Sequence, residues 1–164
     1  MNDIKQRIDE LAPAFFSIKD ISILPIRDDY DLWYATVECQ LAPEQVDFVN
    51  PAGFSIGRAY LHPESNVPCI IRKGTVCIGY IVLRTWFAGK ATSFSYYLDK
   101  DWQGCGYGKT AAKLAVQILK CAVPELPIKL SAEKDNEKAH RLYQSIGFSL
   151  SDELDGDDLV FVYE

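Results

Sequence analysis

The chain has 164 residues, and a hydrophobic fraction of 48% is enough for one compact domain with its own core. Its charged fraction of 24% is that of an ordinary globular protein and excludes a disordered or fibrous chain. The formal net charge of −6 argues against a protein that binds the phosphate backbone of nucleic acids, because such domains usually carry a basic face.

The cysteines form neither a disulfide framework nor a zinc motif. Their number is odd, no pair is spaced as C-x-x-C, and most lie in apolar segments, as reduced and buried thiols do. They are Cys39, Cys69, Cys77, Cys105 and Cys121. No basic stretch followed by an apolar one opens the chain, and no apolar run approaches the roughly 20 residues that span a bilayer. We therefore expect a cytoplasmic protein without bound metal and without nucleic-acid or membrane partners.

A short amphipathic helix is expected near the start of the chain. Residues 3–11 place Ile4, Ile8 and Leu11 at helical spacing, and Pro13 then ends the pattern. The role of this helix cannot be read from its residues.

The next segment predicts one strand and several short helices. A strand is expected over residues 21–26, followed by a helix through Trp33 and Tyr34. Acidic residues offer N-caps for this helix, namely Asp28, Asp29 and Asp31. Further helical turns are expected to start near Pro43 and Ser55.

Three apolar, β-branched runs follow, and short turns separate them. The runs begin at Pro68, Thr75 and Ser93, with turns at residues 73–74 and 88–90. Successive strands joined by short turns predict an antiparallel meander.

The C-terminal half alternates helices and strands. The most regular helical pattern covers residues 107–122, with one apolar stripe. A strand over 128–132, a helix between an N-cap at Asp135 and a stop at Gly147, and a last strand from Leu159 complete the chain. The order predicts a mixed α/β (α+β), mainly antiparallel sheet flanked by helices in one domain.

A glycine-rich segment joins the third meander strand to the long helix. Glycines let the backbone approach a ligand, and the free N–H groups at the helix start then point at it, so an anion fits there. The first turn holds Lys109 and Lys113 but no acidic residue, so a bound phosphate would complement the positive end of the helix dipole. The segment reads Gln103, Gly104, Cys105, Gly106, Tyr107, Gly108 and Lys109.

Spacing separates three phosphate-binding patterns. The dinucleotide motif G-x-G-x-x-G, started at Gly104, requires glycine where Lys109 stands, and the P-loop G-x-x-x-x-G-K-[ST] requires glycine where Gln103 stands. The pattern Q/R-x-x-G-x-G/A is met at every position by Gln103, Gly106 and Gly108. A glycine-rich turn without a ligand is the alternative interpretation.

This last pattern resembles the loop in which GCN5-related N-acetyltransferases (GNAT) hold the pyrophosphate of CoA. A second segment resembles the family signature N-x-x-A-x-x-L-Y-x-x-x-G-F, through Asn136, Ala139, Leu142, Tyr143, Gly147 and Phe148. Two signatures in this order make the resemblance specific. It implies a GNAT domain over residues 21–164, preceded by an extension over 1–20, that uses acetyl-CoA as cosubstrate to acetylate an amine.

The resemblance also implies roles for single residues. Asn136 and Tyr143 are seven residues apart, so they share a helix face about 10 Å apart along the axis. In the family this asparagine contacts the CoA chain and the tyrosine hydroxyl lies near the thioester sulfur, which makes Tyr143 the candidate general acid. The backbone of Tyr96, Tyr97 and Leu98 is implied to bind the pantetheine arm. Without the motif, core packing is the alternative role for Tyr143.

The acceptor is indicated by a weaker resemblance. Residues 41–64 and 155–160 resemble bacterial spermidine/spermine and diamine acetyltransferases, which implies a polyamine or another small primary amine. Cys105 and Ser95 depart from that subgroup, where basic residues are common. A protein N-terminus or an aminoglycoside as acceptor, and an acyl-CoA sensor without turnover, are the alternatives. The family is often dimeric, so a homodimer is compatible with this interpretation.

Acetyl transfer to an amine also needs a base or a water relay. An amine with a pKa near 10.4 is protonated at neutral pH, and deprotonating it costs roughly 4 to 5 kcal/mol. The candidates are Glu38, Glu44, His62 and Asp99, among which the sequence does not choose. Acidic residues also suit a cationic substrate, so Glu38, Glu44 and Asp99 are candidate substrate-binding residues.

Overall fold

The protein was analysed as a computed structural model that describes residues 3–11, 16–86 and 88–164. The strands are β1 (Ser17–Ile18), β2 (Ile21–Pro25), β3 (Asn66–Lys73), β4 (Val76–Trp86), β5 (Ala91–Leu98), β6 (Ile128–Ala132), β7 (Ser149–Asp155) and β8 (Asp158–Tyr163). The α-helices are α1 (Ile4–Asp9), α2 (Asp29–Trp33), α3 (Ala52–Leu61), α4 (Tyr107–Ala122) and α5 (Glu137–Ser145). Among these described residues, no helix is long and apolar enough to cross a membrane.

The strands form one sheet in the order β1-β2-β3-β4-β5-β6-β8-β7. Neighbouring strands are antiparallel except β5 and β6, which pair in parallel. The mixed, mainly antiparallel sheet and the β3–β4–β5 meander predicted from the sequence are therefore confirmed.

Helices cover both faces of this sheet. The α4 face, covered by α1 and α4, buries Ile81 and Leu83 of β4, whereas the α3 face, covered by α2 and α3, buries Tyr80 and Val82. This alternation follows from the two-residue period of a strand, and it explains why β4 is apolar along most of its length. A β-bulge at Ile78 interrupts the pairing of β4 with β3.

The expected N-terminal helix is present as α1, and it belongs to the core. Asp3 caps it by accepting from the N–H groups of Lys5 and Gln6. Ile4 and Ile8 are fully buried on the α4 face. Arg7 donates to the carbonyl of Ala122, 3.1 Å away, at the end of α4. Pro13, which was expected to end the pattern, lies outside the described residues.

A buried ion pair joins α2 to the meander. Asp28 caps α2 by accepting from the N–H of Asp31 at 2.8 Å. The carboxylate of Asp31, which is 4% exposed, accepts from Arg72 of β3 at 2.5 Å. Removing either partner would leave a buried charge unpaired, so the pair fixes where α2 sits on the sheet.

Two local predictions were wrong, and strand β7 was missed. α3 begins at Ala52 rather than near Ser55, whose hydroxyl lies inside the helix and donates to the carbonyl of Ala52. Asn136, not Asp135, caps α5, because its side chain accepts from the N–H of Ala139. β7 was not predicted, because most of its side chains are exposed and its sequence lacks the apolar alternation of a half-buried strand.

The cysteines are free thiols but are less buried than expected. Cys69 and Cys77 are buried and Cys39 is half-buried, whereas Cys105 and Cys121 are exposed. Cys105 lies in the glycine loop, and Cys121 lies in the last turn of α4 on the side of the helix that faces solvent.

Gly79 of β4 leaves no room for a side chain. A Cβ there would lie 2.5 Å from the carbonyl oxygen of Tyr97 and 2.9 Å from Cδ2 of Leu98. We therefore expect Gly79→Ala to lower the free energy of unfolding by about 1–3 kcal/mol, measured by urea denaturation.

Gly57→Ala is the matched control. Gly57 lies inside α3, and its added Cβ would meet nothing within 4 Å. Alanine is the better helix former, so stability should be unchanged or raised by up to about 1 kcal/mol. Equal midpoints for the two variants would contradict this account of Gly79.

Candidate active site

A cleft opens in the sheet between β5 and β6. The two strands pair at a single position, Thr92 with Ile128, where the N–H of Thr92 donates to the carbonyl of Pro127 at 2.9 Å. Main-chain groups alternate between the two edges of a strand, so those of Phe94 and Tyr96 point into the gap beyond that pair. We call this gap the β5–β6 cleft, and its β5 wall is an unpaired strand edge that a ligand with amide groups can pair with.

The other edge of β5 faces β4 throughout. The N–H of Asp99 donates to the carbonyl of Ile78 of β4 at 2.8 Å, so by alternation the main-chain groups of Tyr97 also point to β4. Among the three predicted pantetheine positions, Tyr96 and Leu98 thus present their backbone to the β5–β6 cleft. Phe94, which the sequence argument missed, does so as well.

The glycine loop lies at the open end of the cleft and leads into α4. Gly104 and Gly106 have φ values of +80° and +84°, a region that favours glycine. Gly106 is the N-cap of α4 and makes no side-chain cap bond, so the first N–H groups of the helix are left for a ligand. A Cβ at either glycine would meet nothing within 4 Å, so the space above the helix start is open. This arrangement suits an anion.

Side chains from two other segments hold the loop in place. Gln103 donates to the carbonyl of Leu98 at 3.0 Å and to Oε1 of Gln45 at 2.6 Å. The Tyr96 hydroxyl donates to the carbonyl of Gly108 at 3.0 Å, and burial raises the pKa of Tyr96, so this donor keeps its proton. Gln103 therefore acts on the loop through protein contacts, while the loop's own N–H groups remain available.

α5 follows β6 and lies on the other side of the cleft. Its N-cap Asn136 uses Oδ1 for the N–H of Ala139, 3.2 Å away, which leaves its Nδ2 group to serve as a donor. The helix gives way to Gly147 at φ +109°, where a Cβ would lie 2.9 Å from the ring of Tyr163. Glycine is thus required at that signature position by conformation and by space.

Tyr143 projects from α5 among aromatic rings. Its ring centroid lies 5.5 Å from that of Phe161 and 6.0 Å from that of Phe148. Burial raises its pKa to about 12, and ring contacts through Phe148 and Phe94 connect it to Tyr96 of β5. In the described part of the chain, the Tyr143 hydroxyl has no hydrogen-bond partner. It is a protonated donor at neutral pH that is free to serve a ligand.

A pocket, which we call the α3 pocket, lies on the opposite face of the sheet. It lies between α3 and strands β4 and β5, and Ser95 and Tyr97 of β5 project into it. Its floor is ordered, because the Tyr97 hydroxyl accepts from the N–H of Ala52 at 3.2 Å and the Tyr80 and Ser55 hydroxyls bond to each other. The lining residues are Val49, Asn50, Phe54, Ser55, Arg58, Asn66, Tyr80, Val82, Arg84, Ser95 and Tyr97.

The acidic residues predicted to bind substrate lie outside this pocket lining. Glu38 is exposed and accepts from Nε1 of Trp33 at 3.1 Å, and Glu44 is exposed on a 3₁₀ turn. Asp99 accepts from the N–H groups of Gln40 and Asp101 at 2.9 and 3.0 Å. Their roles in substrate binding and as the base stay predictions.

The arginines of the α3 pocket were missed in the sequence. Arg84 ends the apolar run of β4, and a cation in such a position is the signal that singles it out. Arg58 lies in α3 and carries no comparable signal, because exposed helical arginines are common.

Comparison with protein families agrees with the geometry. The model of the acetyltransferase (GNAT) family matches residues 29–148. The chain belongs to this family. It is therefore an acetyl-CoA-dependent N-acetyltransferase, and acetyl-CoA is its acetyl donor. Comparison with curated protein sequences gives no match.

Solved structures show the same fold at low sequence identity. An acetyltransferase from Agrobacterium tumefaciens is 19% identical with a TM-score of 0.67, and the match covers 91% of this chain and 96% of that one. AAC(6')-Ib, in a complex that contains acetyl-CoA, is 19% identical with a TM-score of 0.70, covering 87% and 92%. A spermidine N-acetyltransferase SpeG chimera from Vibrio cholerae and hSSAT is 15% identical with a TM-score of 0.62, covering 87% and 93%.

The anion site can be tested at Gly106. Gly106→Ala forces an L-residue to φ +84° and places a methyl group in the open space above the helix start. We expect a loss of about 1–2 kcal/mol in stability and an at least roughly fivefold weaker affinity for CoA, measured by calorimetric titration.

Gly156→Ala separates the loss of stability caused by the positive φ from the loss of affinity for CoA. Gly156 has φ +60°, lies in the β7–β8 turn, and has the same open surroundings. Its substitution should cost a similar stability and leave the affinity for CoA unchanged. Equal affinities in the two variants would speak against an anion site at the loop.

Proposed function

We propose that this enzyme transfers the acetyl group to the primary amine of a small molecule by direct attack, with Tyr143 as the general acid. One observation carries the proposal. The β5–β6 cleft begins at the N–H groups of the glycine loop and follows the open edge of β5, and ring contacts through Phe148 and Phe94 connect Tyr143 of α5 to this strand.

The acetyl donor would bind along the whole cleft. We assign its pyrophosphate to the N–H groups of residues 103–109, which suit an anion. We assign its pantetheine amides to the main-chain groups of Phe94 and Tyr96, and a further contact to the Nδ2 group of Asn136. The open edge of β5 supports the second assignment, because strand addition uses unpaired main-chain groups. Phe94 here takes the place of Tyr97, whose main chain faces β4.

The chemical step needs one proton removed and one supplied. The neutral amine nitrogen attacks the thioester carbonyl carbon and forms the C–N bond, and the C–S bond breaks. The Tyr143 hydroxyl donates its proton to the leaving sulfur, and the proton of the amine passes to a base or a water chain. Burial raises the pKa of Tyr143 to about 12, so the phenol carries its proton at neutral pH, and transfer to the more acidic thiol depends on the hydroxyl being positioned at the developing thiolate.

The acceptor is the finer part of the proposal. The sequence resemblance favours a polyamine, and one structurally similar protein is a spermidine N-acetyltransferase chimera, although an identity of 15% shows the fold alone. The α3 pocket points elsewhere, because it contains two arginines, which repel a polycation. We therefore propose a small primary amine and treat polyamines, aminoglycosides and protein N-termini as competing acceptors.

Tyr143→Phe tests the general acid. Loss of the hydroxyl should lower kcat about a hundredfold in a thiol-release assay with acetyl-CoA, with the affinity for CoA within about twofold of the wild type. Tyr163→Phe is the control, because this ring also packs on Phe148, with centroids 5.4 Å apart. Unchanged turnover in Tyr143→Phe would refute the role of Tyr143. Wild-type protein that binds CoA but acetylates no amine would be a sensor.

The pH dependence of turnover follows from the same pKa. The reactive form has Tyr143 protonated, and this form is lost only as the pH rises through about 12. The amine must lose its proton, so kcat/KM should rise with pH up to about 10 with no falling limb from the tyrosine. A fall of kcat/KM between about pH 9 and 10 in folded enzyme would be inconsistent with Tyr143 as the acid.

The stability of the fold limits the pH range over which turnover can be measured. Burial raises the pKa of Tyr80 and Tyr96 above the ordinary value of 10. The unfolded chain therefore loses these protons first, and stability falls as the pH rises above about 10. Circular dichroism at each pH will show which rates belong to the folded enzyme.

A further inference from the structure

The α3 pocket is basic. Arg84 of β4 and Arg58 of α3 are its charged lining residues, and none of the aspartates and glutamates that the structure describes lines it. Arg84 lies opposite Asn66 of β3 and Ser93 of β5 in the sheet register, so its main chain is fixed on both sides. Arg58 is exposed near the end of the helix above. The pocket thus has one arginine anchored in the sheet and a second in its helical wall.

Arg84 is half-buried, and it forms no ion pair within the residues that the structure describes. Its Nε atom is buried and has no hydrogen-bond partner in the part of the chain that the structure describes. Its guanidinium lies 5.7 Å from the centre of the Trp86 ring. The Nε atom of Arg72, on the neighbouring strand, is also buried without a partner, but the terminal nitrogen of Arg72 binds the carboxylate of Asp31 at 2.5 Å, and this ion pair is what Arg84 lacks. An unpaired cation in such a place is costly, and an external anion would remove the cost.

The pKa of Arg84 also indicates that the pocket lacks negative charge. Burial lowers the pKa of Arg84 from its ordinary value, and the positive charge of Arg58 lowers it further. Asp155 and Tyr80 offset part of this effect. Two cations that repel each other across a pocket attract a shared anion more strongly than either would alone.

The position of the pocket connects it to the chemistry. Ser95 and Tyr97 of β5 line the α3 pocket, while the main-chain groups of Phe94 and Tyr96 on the same strand border the β5–β6 cleft. A molecule in the pocket therefore lies one strand away from the proposed position of the acetyl donor. An acceptor held there by one end has its other end near the cleft.

We infer that the acceptor is a primary amine that also carries an oxyanion, a carboxylate or a phosphate, which Arg84 and Arg58 bind together. Guanidinium groups match the planar geometry of such groups and bind them through paired hydrogen bonds. The inference rests on the proposed function and narrows its acceptor. It places polyamines and aminoglycosides, which are polycations, among the poor substrates.

Amines matched in length but different in end group provide the test. With saturating acetyl-CoA, thiol release is measured for 4-aminobutyrate, 3-aminopropylphosphonate, 4-aminobutan-1-ol and 1,4-diaminobutane, and for short α-amino acids and dipeptides beside their amides. The members that carry an oxyanion should exceed their neutral or cationic counterparts about tenfold or more in kcat/KM. The ratio of carboxylate to phosphonate then distinguishes the two sources of the oxyanion.

Variants connect that preference to the pocket. Arg84→Gln should raise KM for the oxyanion-bearing amines about tenfold and leave neutral amines within about threefold, so that the preference is lost. Arg84→Lys should restore part of it, because charge returns without the guanidinium fork. Arg27→Gln is the control, since Arg27 is exposed and pairs only loosely with Asp9 at 3.5 Å. The thermal midpoint of Arg84→Gln should fall only slightly, because the substitution removes the contact with the Trp86 ring but no hydrogen bond of Nε.

The failures of the two proposals are distinguishable. Better turnover of neutral or cationic amines, or a preference that Arg84→Gln leaves intact, overturns this inference while the acetyltransferase proposal stands. If CoA binds and no amine is acetylated, the proposed function fails. In that case, saturation-transfer NMR with the same compounds tests separately whether the α3 pocket binds an oxyanion. Binding that requires the oxyanion and is lost in Arg84→Gln supports the inference, and binding without that dependence overturns it.

Discussion

The separation of β5 from β6 is the constraint on which the rest of the molecule depends. A parallel pair that begins at Thr92 and Ile128 and then stops leaves main-chain donors and acceptors of β5 unsatisfied within a sheet. Buried peptide groups of this kind need partners. The fold therefore has a gap shaped like a missing strand, and an extended molecule with amide groups is the natural occupant. The glycine loop and α5 lie at this gap because they follow β5 and β6 in the chain.

β5 also divides the chemistry between two faces. Phe94 and Tyr96 turn their side chains to the α4 face, while Ser95 and Tyr97 turn theirs to the α3 face. A strand has this property from its two-residue period alone. In the arrangement that we propose, donor and acceptor meet across the backbone of β5, and different side chains recognise each of them. On this proposal, substitutions at Arg84 and its neighbours would change selectivity for the acceptor and leave the cleft unchanged.

The sequence predicted most where local pattern and fold coincide. The bounds of α4 and β6 agree with their predicted ranges, because the long apolar stripe of α4 and the apolar–polar alternation of β6 are local signals. Strand β7 was not predicted, because its side chains are mostly exposed and show no alternation of apolar and polar residues. It pairs with β8 at the edge of the sheet, and this position is not visible in the local sequence. The α3 pocket was not predicted either, because α3, β4 and β5 come together only in the folded chain. The predicted roles of Glu38, Glu44 and Asp99 relied on charge alone, which does not give position.

Contacts at both ends of α4 give this helix a further property. The Tyr96 hydroxyl holds the carbonyl of Gly108 in its first turn, and Arg7 holds the carbonyl of Ala122 in its last. Between them the apolar stripe is buried against the sheet. Because both ends of α4 are held by these hydrogen bonds, the helix is restrained from shifting along its axis and from fraying at its ends. The N–H groups of the first turn of α4 are therefore already ordered in the free protein. Binding of a ligand to them does not carry the entropic penalty of ordering them.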